Sequence, residues 1–313
     1  EGEYYLSLTM QMLILRGGRV IPFELDQFYQ WGTPVDLENF ISGIKMARKF
    51  ESRQNFGEHS GTLLIPAAGK GERFSRQGYL KPKPLITVCG TPMIAQSFSL
   101  SPKTEHVIIV ANDPTISESL HLNRVERPNS IHRIGINRLS RGQADTCLAA
   151  EQHVNAGEIL TIAACDNGCL LTDGCLDQFL NDPFVDVIVW TTSGHLHAMQ
   201  HPESYGWVIT DDCGNVRTVE VKKRVADPAF TSIVCGTFTF KKAKYFFDAA
   251  KSLIDKDLTV NGEFYVDSCV NECIKSGLNV VEMRVDAYFS WGTPDDLQSF
   301  EYWVKAERQF RCV

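Results

Sequence analysis

The residues whose types and spacing can do chemistry begin at position 66. Pro66-Ala67-Ala68-Gly69-Lys70-Gly71-Glu72-Arg73-Phe74 follows directly on the apolar run Leu63-Leu64-Ile65. Glycines at such a place let backbone N–H groups come close to an anion, and Arg73 adds positive charge beside them. The spacing is neither that of a Walker A loop nor that of the GxGxxG dinucleotide fingerprint, which argues against a nicotinamide-dependent dehydrogenase. Further on, Lys81-Pro82-Lys83-Pro84-Leu85 holds Lys83 between two prolines, which stiffen the backbone and fix where its ammonium group points. A glycine turn and a held lysine together are equipment for binding phosphate. Two other groups weigh less. His195, His197 and His201 precede Tyr205 closely, and Cys165, Cys169 and Cys175 cluster, as do Cys269 and Cys273. Neither group has zinc-site spacing, so they read as a histidine-bearing loop beside a cleft and as buried, reduced thiols.

These residues need elements to hold them. Leu63–Pro66, His106–Val110, Ile159–Ala163 and Val185–Trp190 are short apolar runs that read as buried strands. Helical stretches lie between them at 93–100, 143–154 and 176–180. Strands alternating with helices predict an α/β fold with a mostly parallel sheet covered on both faces. Past residue 205 the pattern changes to strand, turn, strand over 207–210, 211–214 and 216–221. A strand at 234–240 follows, with helices at 242–253 and 263–276, a strand at 280–285, and a helix from Pro294 to Gln309. The second half is therefore expected to carry a hairpin.

Length and composition bound the answer. The 313 residues allow about two domains. With 43% hydrophobic and 22% charged residues the chain has a core to bury. Its net charge of −7 argues against a general nucleic-acid binder. No apolar stretch reaches the ~20 residues of a membrane span, and reduced thiols point to the cytoplasm. One internal repeat stands out. Residues 1–50 align without gaps onto 261–310, and Trp31-Gly32-Thr33-Pro34 matches Trp291-Gly292-Thr293-Pro294. The expected organisation is a C-terminal remnant of a preceding homologous module over 1–50, or else an accessory subdomain of the same unit, then a linker over 51–60 and one complete module over 61–313. A remnant with orphaned apolar residues would favour a homodimer or an upstream homologous module as partner.

The combination Ala68-Gly69-Lys70-Gly71-Glu72-Arg73-Phe74, Pro82-Lys83-Pro84-Leu85 and Gly90-Thr91-Pro92 resembles the signature of the nucleotidyltransferase family. Within it, the likeness is to the nucleoside-diphosphate-sugar pyrophosphorylase group, with its Rossmann-like fold. It is nearest to the short bacterial branch that serves capsule and surface polysaccharides. The resemblance implies transfer of a nucleotidyl group from an NTP, a pyrimidine one, to a sugar 1-phosphate or small phosphorylated alcohol, with pyrophosphate released. It implies that Ala67, Ala68, Gly69, Gly71, Gly142 and Gln143 bind the nucleotide. Arg73 and Lys83 would meet the reacting phosphates, and Asp166 would hold Mg²⁺. Tyr205, Gly206, Lys222, Lys223, Gly236 and Glu263 would line the acceptor side. Two departures stand against the pattern: Lys222-Lys223-Arg224 replaces a Glu-Lys-Pro motif, and Ser290 stands where many members carry a second metal-binding aspartate. A catalytically decayed regulatory or scaffold module is the alternative those departures raise.

Overall fold

A computed structural model describes residues 5–53, 57–112 and 130–311. The chain forms two compact units, Glu1–Ser42 and Gly43–Val313. Strands β1 (Glu58–Ala67), β2 (Thr87–Val88), β3 (Thr91–Pro92), β4 (Lys103–Ala111), β5 (Ser130–Gly135), β6 (Leu160–Ala163) and β7 (Asn167–Leu170) come first. They are followed by β8 (Val187–Thr192), β9 (Gly206–Thr210), β10 (Val216–Val221), β11 (Ser232–Phe240), β12 (Val280–Arg284) and β13 (Ala287–Ser290). The main sheet runs β10-β9-β11-β6-β1-β4-β5, with β8 on β11 and β12 on β8. It is a mixed, Rossmann-like α/β sheet flanked by helices, as the alternating pattern predicts.

The half that begins the unit is parallel: β5, β4, β1 and β6 run together. Leu63, Leu64 and Ile65 are fully buried, and Leu63 pairs with Val107 and Ile65 with Ile109. An apolar run without alternation is what a strand covered on both faces requires. β11 then joins β6 antiparallel and, along its length, also pairs with β8 and β9. The β9–β10 hairpin hangs from it, closed by Asp211, whose carboxylate accepts from the backbone N–H of Cys213 and Asn215 at 3.0 and 2.9 Å.

Several boundaries differ from the sequence reading, each for a local reason. The expected helix 143–154 is Gln143–Leu148 followed by a single tight turn at Glu151–His153, because Ala150 N bonds to Cys147 O. The helix expected from 263 starts at Val266. Glu263 is tied to Val260 by two backbone hydrogen bonds and Phe264 N donates to Arg141 O, so neither can enter the helix. β7 and β13, which pair antiparallel, are too short to show a period.

The expected remnant, 1–50, does not end where the first unit ends. The division falls inside the helix Pro34–Glu51, and Ile44, Ala47 and Phe50 are buried in the second unit. Phe50 meets Phe289 and Phe300 edge-on at 5.3 and 4.8 Å, and Arg308 pairs with Glu51 at 2.8 Å. The stretch read as a linker, 51–60, gives its last residues to β1. In the first unit the helix Leu6–Leu15 has no buried residue. Among the described residues no helix is long and apolar enough to cross a membrane.

Phe50 supports the strand that faces the cavity described below. Phe50→Ala should lower unfolding stability by about 3–5 kcal/mol through lost burial and a residual cavity, read by urea denaturation.

Candidate active site

The glycine loop leaves β1 at its carboxyl end, where parallel α/β sheets open a crevice. Gly71 takes a left-handed φ of +63° just before the short helix Glu72–Arg76. A Cβ there would come within 2.8 Å of the Lys83 Cβ, so glycine serves both the turn and the approach of the lysine segment. Phe74 is buried and meets Tyr79 edge-on, which anchors the loop to the core. Lys83 occupies one tight helical turn, Lys83–Leu85, and points its Nζ at two groups: the Asp166 carboxylate and the Gly292 carbonyl, the latter at 3.1 Å.

Asp166 follows β6. Its own carbonyl accepts from Trp291 N at 2.9 Å, which fixes the backbone that carries the carboxylate. Burial disfavours charge on both Lys83 and Asp166, but their mutual attraction and hydrogen bond overcome it. Lys83 is held above its ordinary range and Asp166 below the usual carboxylate range.

Around this pair lies a cavity of about 720 Å³. The glycine loop contributes Ala68, Gly69, Gly71 and Arg73 to one wall. Gly142 and Gln143 form a second. Gly142 has a φ of +116°, and a Cβ there would press to 2.5 Å from the Phe264 carbonyl oxygen. Glycine thus lets the turn lie against the 260s loop, to which it is laced by Ala144 N donating to Phe264 O and Phe264 N to Arg141 O. Tyr205, Gly206, Lys222, Gly236 and Glu263 complete the far side.

Of the residues expected at the site, two lie elsewhere. Ala67 is the last residue of β1, buried under the sheet beside Leu63 and Ile65. Lys223 is outside the lining and pairs with Glu220 at 2.8 Å; the left-handed Lys222, φ +54°, turns the chain there. Lys222 itself points inward to the Ser204 carbonyl and lies 5.5 Å from the centre of the Tyr265 ring. Burial pulls its pKa below the ordinary lysine range and pushes Asp267 above the usual carboxylate range, even though the two attract.

Other lining residues went unassigned in the sequence. Asp267, Asp296, Tyr265 and Tyr288 line the same cavity. Asp296 accepts from the Thr293 hydroxyl at 2.8 Å and faces His197 Nδ1 at 3.2 Å, while His197 Nδ1 lies 2.9 Å from the Tyr205 hydroxyl. Of the three histidines, His197 lines the cavity; burial brings His195 down to about 4. Ser290 also lines it, across from Asn167 in the β13–β7 register. Cys169, Cys235, Cys269 and Cys273 are buried in the core.

Residues 63–212 match the MobA-like NTP transferase domain family. The matched stretch lies within the second unit, which is thus similar to nucleotidyltransferase domains. Bifunctional protein GlmU of Methanococcus aeolicus is 23% identical over 236 residues, covering 75% of this chain and 52% of that protein. The chain therefore spans about half the length of that relative. UTP–glucose-1-phosphate uridylyltransferase AglF of Haloferax volcanii is 22% identical over 255 residues, 78% of this chain and 96% of its own. The nucleoside-diphosphate-sugar pyrophosphorylase of Vibrio cholerae superposes with a TM-score of 0.61 at 17% identity, covering 76% of this chain and 99% of that one. At such identity the structural likeness speaks for the fold.

The ion pair yields a pH-dependent expectation. Lys83→Met leaves the Asp166 carboxylate buried without its partner, at a cost of about 3–5 kcal/mol at pH 7. Asp166 is depressed in the native protein, so its contribution is present above the unfolded carboxyl value and fades as pH falls through the folded one. In the variant the deficit should close on acidification, because protonation removes the unpaired charge. Thermal unfolding of both proteins between pH 7 and pH 4 checks this.

Proposed function

We propose that this chain transfers a nucleotidyl group from an NTP, a pyrimidine one by resemblance, to a sugar 1-phosphate or small phosphorylated alcohol, releasing pyrophosphate. The observation that carries the reading is the Lys83–Asp166 pair set at the strand ends between the glycine loop and the acceptor side of one cavity. The triphosphate lies along Gly69 and Gly71, whose backbone N–H groups approach it, with Arg73 beside the β and γ phosphates. A phosphate oxygen of the acceptor attacks the α-phosphorus. The bond from that phosphorus to the oxygen bridging to the β-phosphate breaks, and pyrophosphate leaves with its electron pair. No proton need move, so positioning and charge neutralisation supply the acceleration. Lys83 neutralises the reacting phosphates, and Lys222 supports the acceptor's phosphate from the other wall. A role in surface-polysaccharide precursors rests on the sequence resemblance alone.

Mg²⁺ fits these residues in one way. Asp166 offers a hard carboxylate at the cavity floor, and no cluster of three or more His, Cys, Asp or Glu side chains suited to a metal occurs among the described residues. A single carboxylate suits Mg²⁺ when substrate phosphates and water supply the remaining oxygens, the ordinary habit of that ion. When bound, it would offset charge developing on the α-phosphate.

The experiment is pyrophosphate release with UTP, CTP, dTTP, ATP and GTP against a panel of sugar 1-phosphates and phosphorylated alcohols. Activity with at least one pair is expected, and Asp166→Asn should lower kcat by about 100-fold or more while the protein still melts cooperatively. A folded protein that binds NTP but releases no pyrophosphate with any pair would favour a regulatory module instead.

A further inference from the structure

The first unit repeats local geometry of the second. Thr33 N and Oγ1 donate to Asp36 Oδ2 at 2.9 and 2.8 Å, and Asp36 N returns a bond to Thr33 Oγ1 at 3.2 Å. At the positions offset by 260, Thr293 and Asp296 make the same three bonds at 3.2, 2.8 and 3.1 Å. The rings repeat too. Trp31 meets Phe40 at 5.3 Å and 81°, and Trp291 meets Phe300 at 5.5 Å and 74°. Tyr29–Phe40 and Phe289–Phe300 are both edge contacts, at 5.7 and 5.9 Å. The repeat is therefore one of structure as well as of sequence.

What differs is cover. Trp291 is completely buried, whereas Trp31 is 56% exposed. In the second unit the helix Val266–Lys275 buries Val266, Val270 and Cys273. It packs beside the helix Ala243–Asp255, and β12 lies on β8 with Val280 and Met283 buried. The matching positions of the first unit are Leu6, Met10, Leu13, Val20 and Phe23: every one is apolar and every one is exposed. A sequence that keeps the inward face of a packed helix and strand, position by position, is built to be covered. Residues 20–24 form no strand, and the counterpart that would pair them, a β8, is not among the elements of the first unit.

We propose that residues 5–42 are the counterpart of 265–302 in a second nucleotidyltransferase module, and that their apolar face docks onto the remainder of that module. The occupant is a sheet edge and helix equivalent to β8 and Ala243–Asp255. A second copy of this chain is not the fitting partner, because its own β8 already carries β12.

The register makes the test exact in design: position 1 aligns with position 261, so residues 43–260 joined directly to residue 1 of the full chain rebuild a module in frame. Hydrogen exchange of peptides spanning 6–30 and binding of a hydrophobic dye are compared with and without the extension. The unextended chain should exchange fast there and bind dye. The extended chain should protect the segment by about 100-fold and lose most of the dye signal. Protection already present without the extension, or absent in an extended chain that melts cooperatively, overturns the proposal. Protection that grows with concentration in the unextended chain also overturns it, by assigning the face to a second copy. Should the extended chain not fold, Leu13→Ser with Phe23→Ser in the unextended chain decides. A dye signal cut at least by half supports the open face, and an unchanged signal refutes it.

Discussion

A lysine ammonium and an aspartate carboxylate held together below the surface impose most of what the second unit does elsewhere. Neither charge is tolerable there alone, so the chain must deliver both to one point to within hydrogen-bonding distance. Lys83 is delivered by two prolines and a turn that only a glycine at 71 allows to pack closely. Asp166 is delivered by β6, whose place is fixed between β1 and β11, and by the backbone bond from Trp291. Trp291 is in turn held by Phe300 and the aromatic cluster that includes Phe50. The ion pair thus joins the glycine loop, the central sheet and the C-terminal helix, three parts of the sequence that share no local propensity.

Much of this was legible beforehand. The central strands showed as uninterrupted apolar runs because both faces are covered, and a glycine-rich segment directly after the first of them marked the crevice. The far side of the cavity was harder. Asp267 and Asp296 look in the sequence like ordinary acidic residues in a first helical turn, and only the fold turns them toward the cavity. Lys222 and Lys223 are indistinguishable by type, and their opposite fates follow from one left-handed backbone angle that no side chain announces. β7 and β13 are short enough that pairing, not periodicity, creates them.

The two halves of the internal repeat separate local from tertiary causes. The Thr–Asp box at the helix start and the edge-on rings form in both, so the stretch from Tyr29 to Phe40 carries enough information to set them. Strand formation at 280–284 has no counterpart at 20–24, although both stretches are apolar. Local preference shapes the turn and the helix cap, whereas a strand waits for a neighbour to share its hydrogen bonds.

The lacing of the Gly142 turn to Phe264 reaches beyond geometry. One of these loops brings Gly142 and Gln143 to the cavity and the other brings Glu263, and two backbone hydrogen bonds lace them together. A ligand that displaces either loop does work on the other. Thermodynamic reciprocity then requires that whatever a ligand against one loop gains or loses for a ligand against the other is returned equally in the opposite direction. Coupling between ligands on the two walls therefore runs through the main chain at this seam, and its size does not depend on which ligand arrives first.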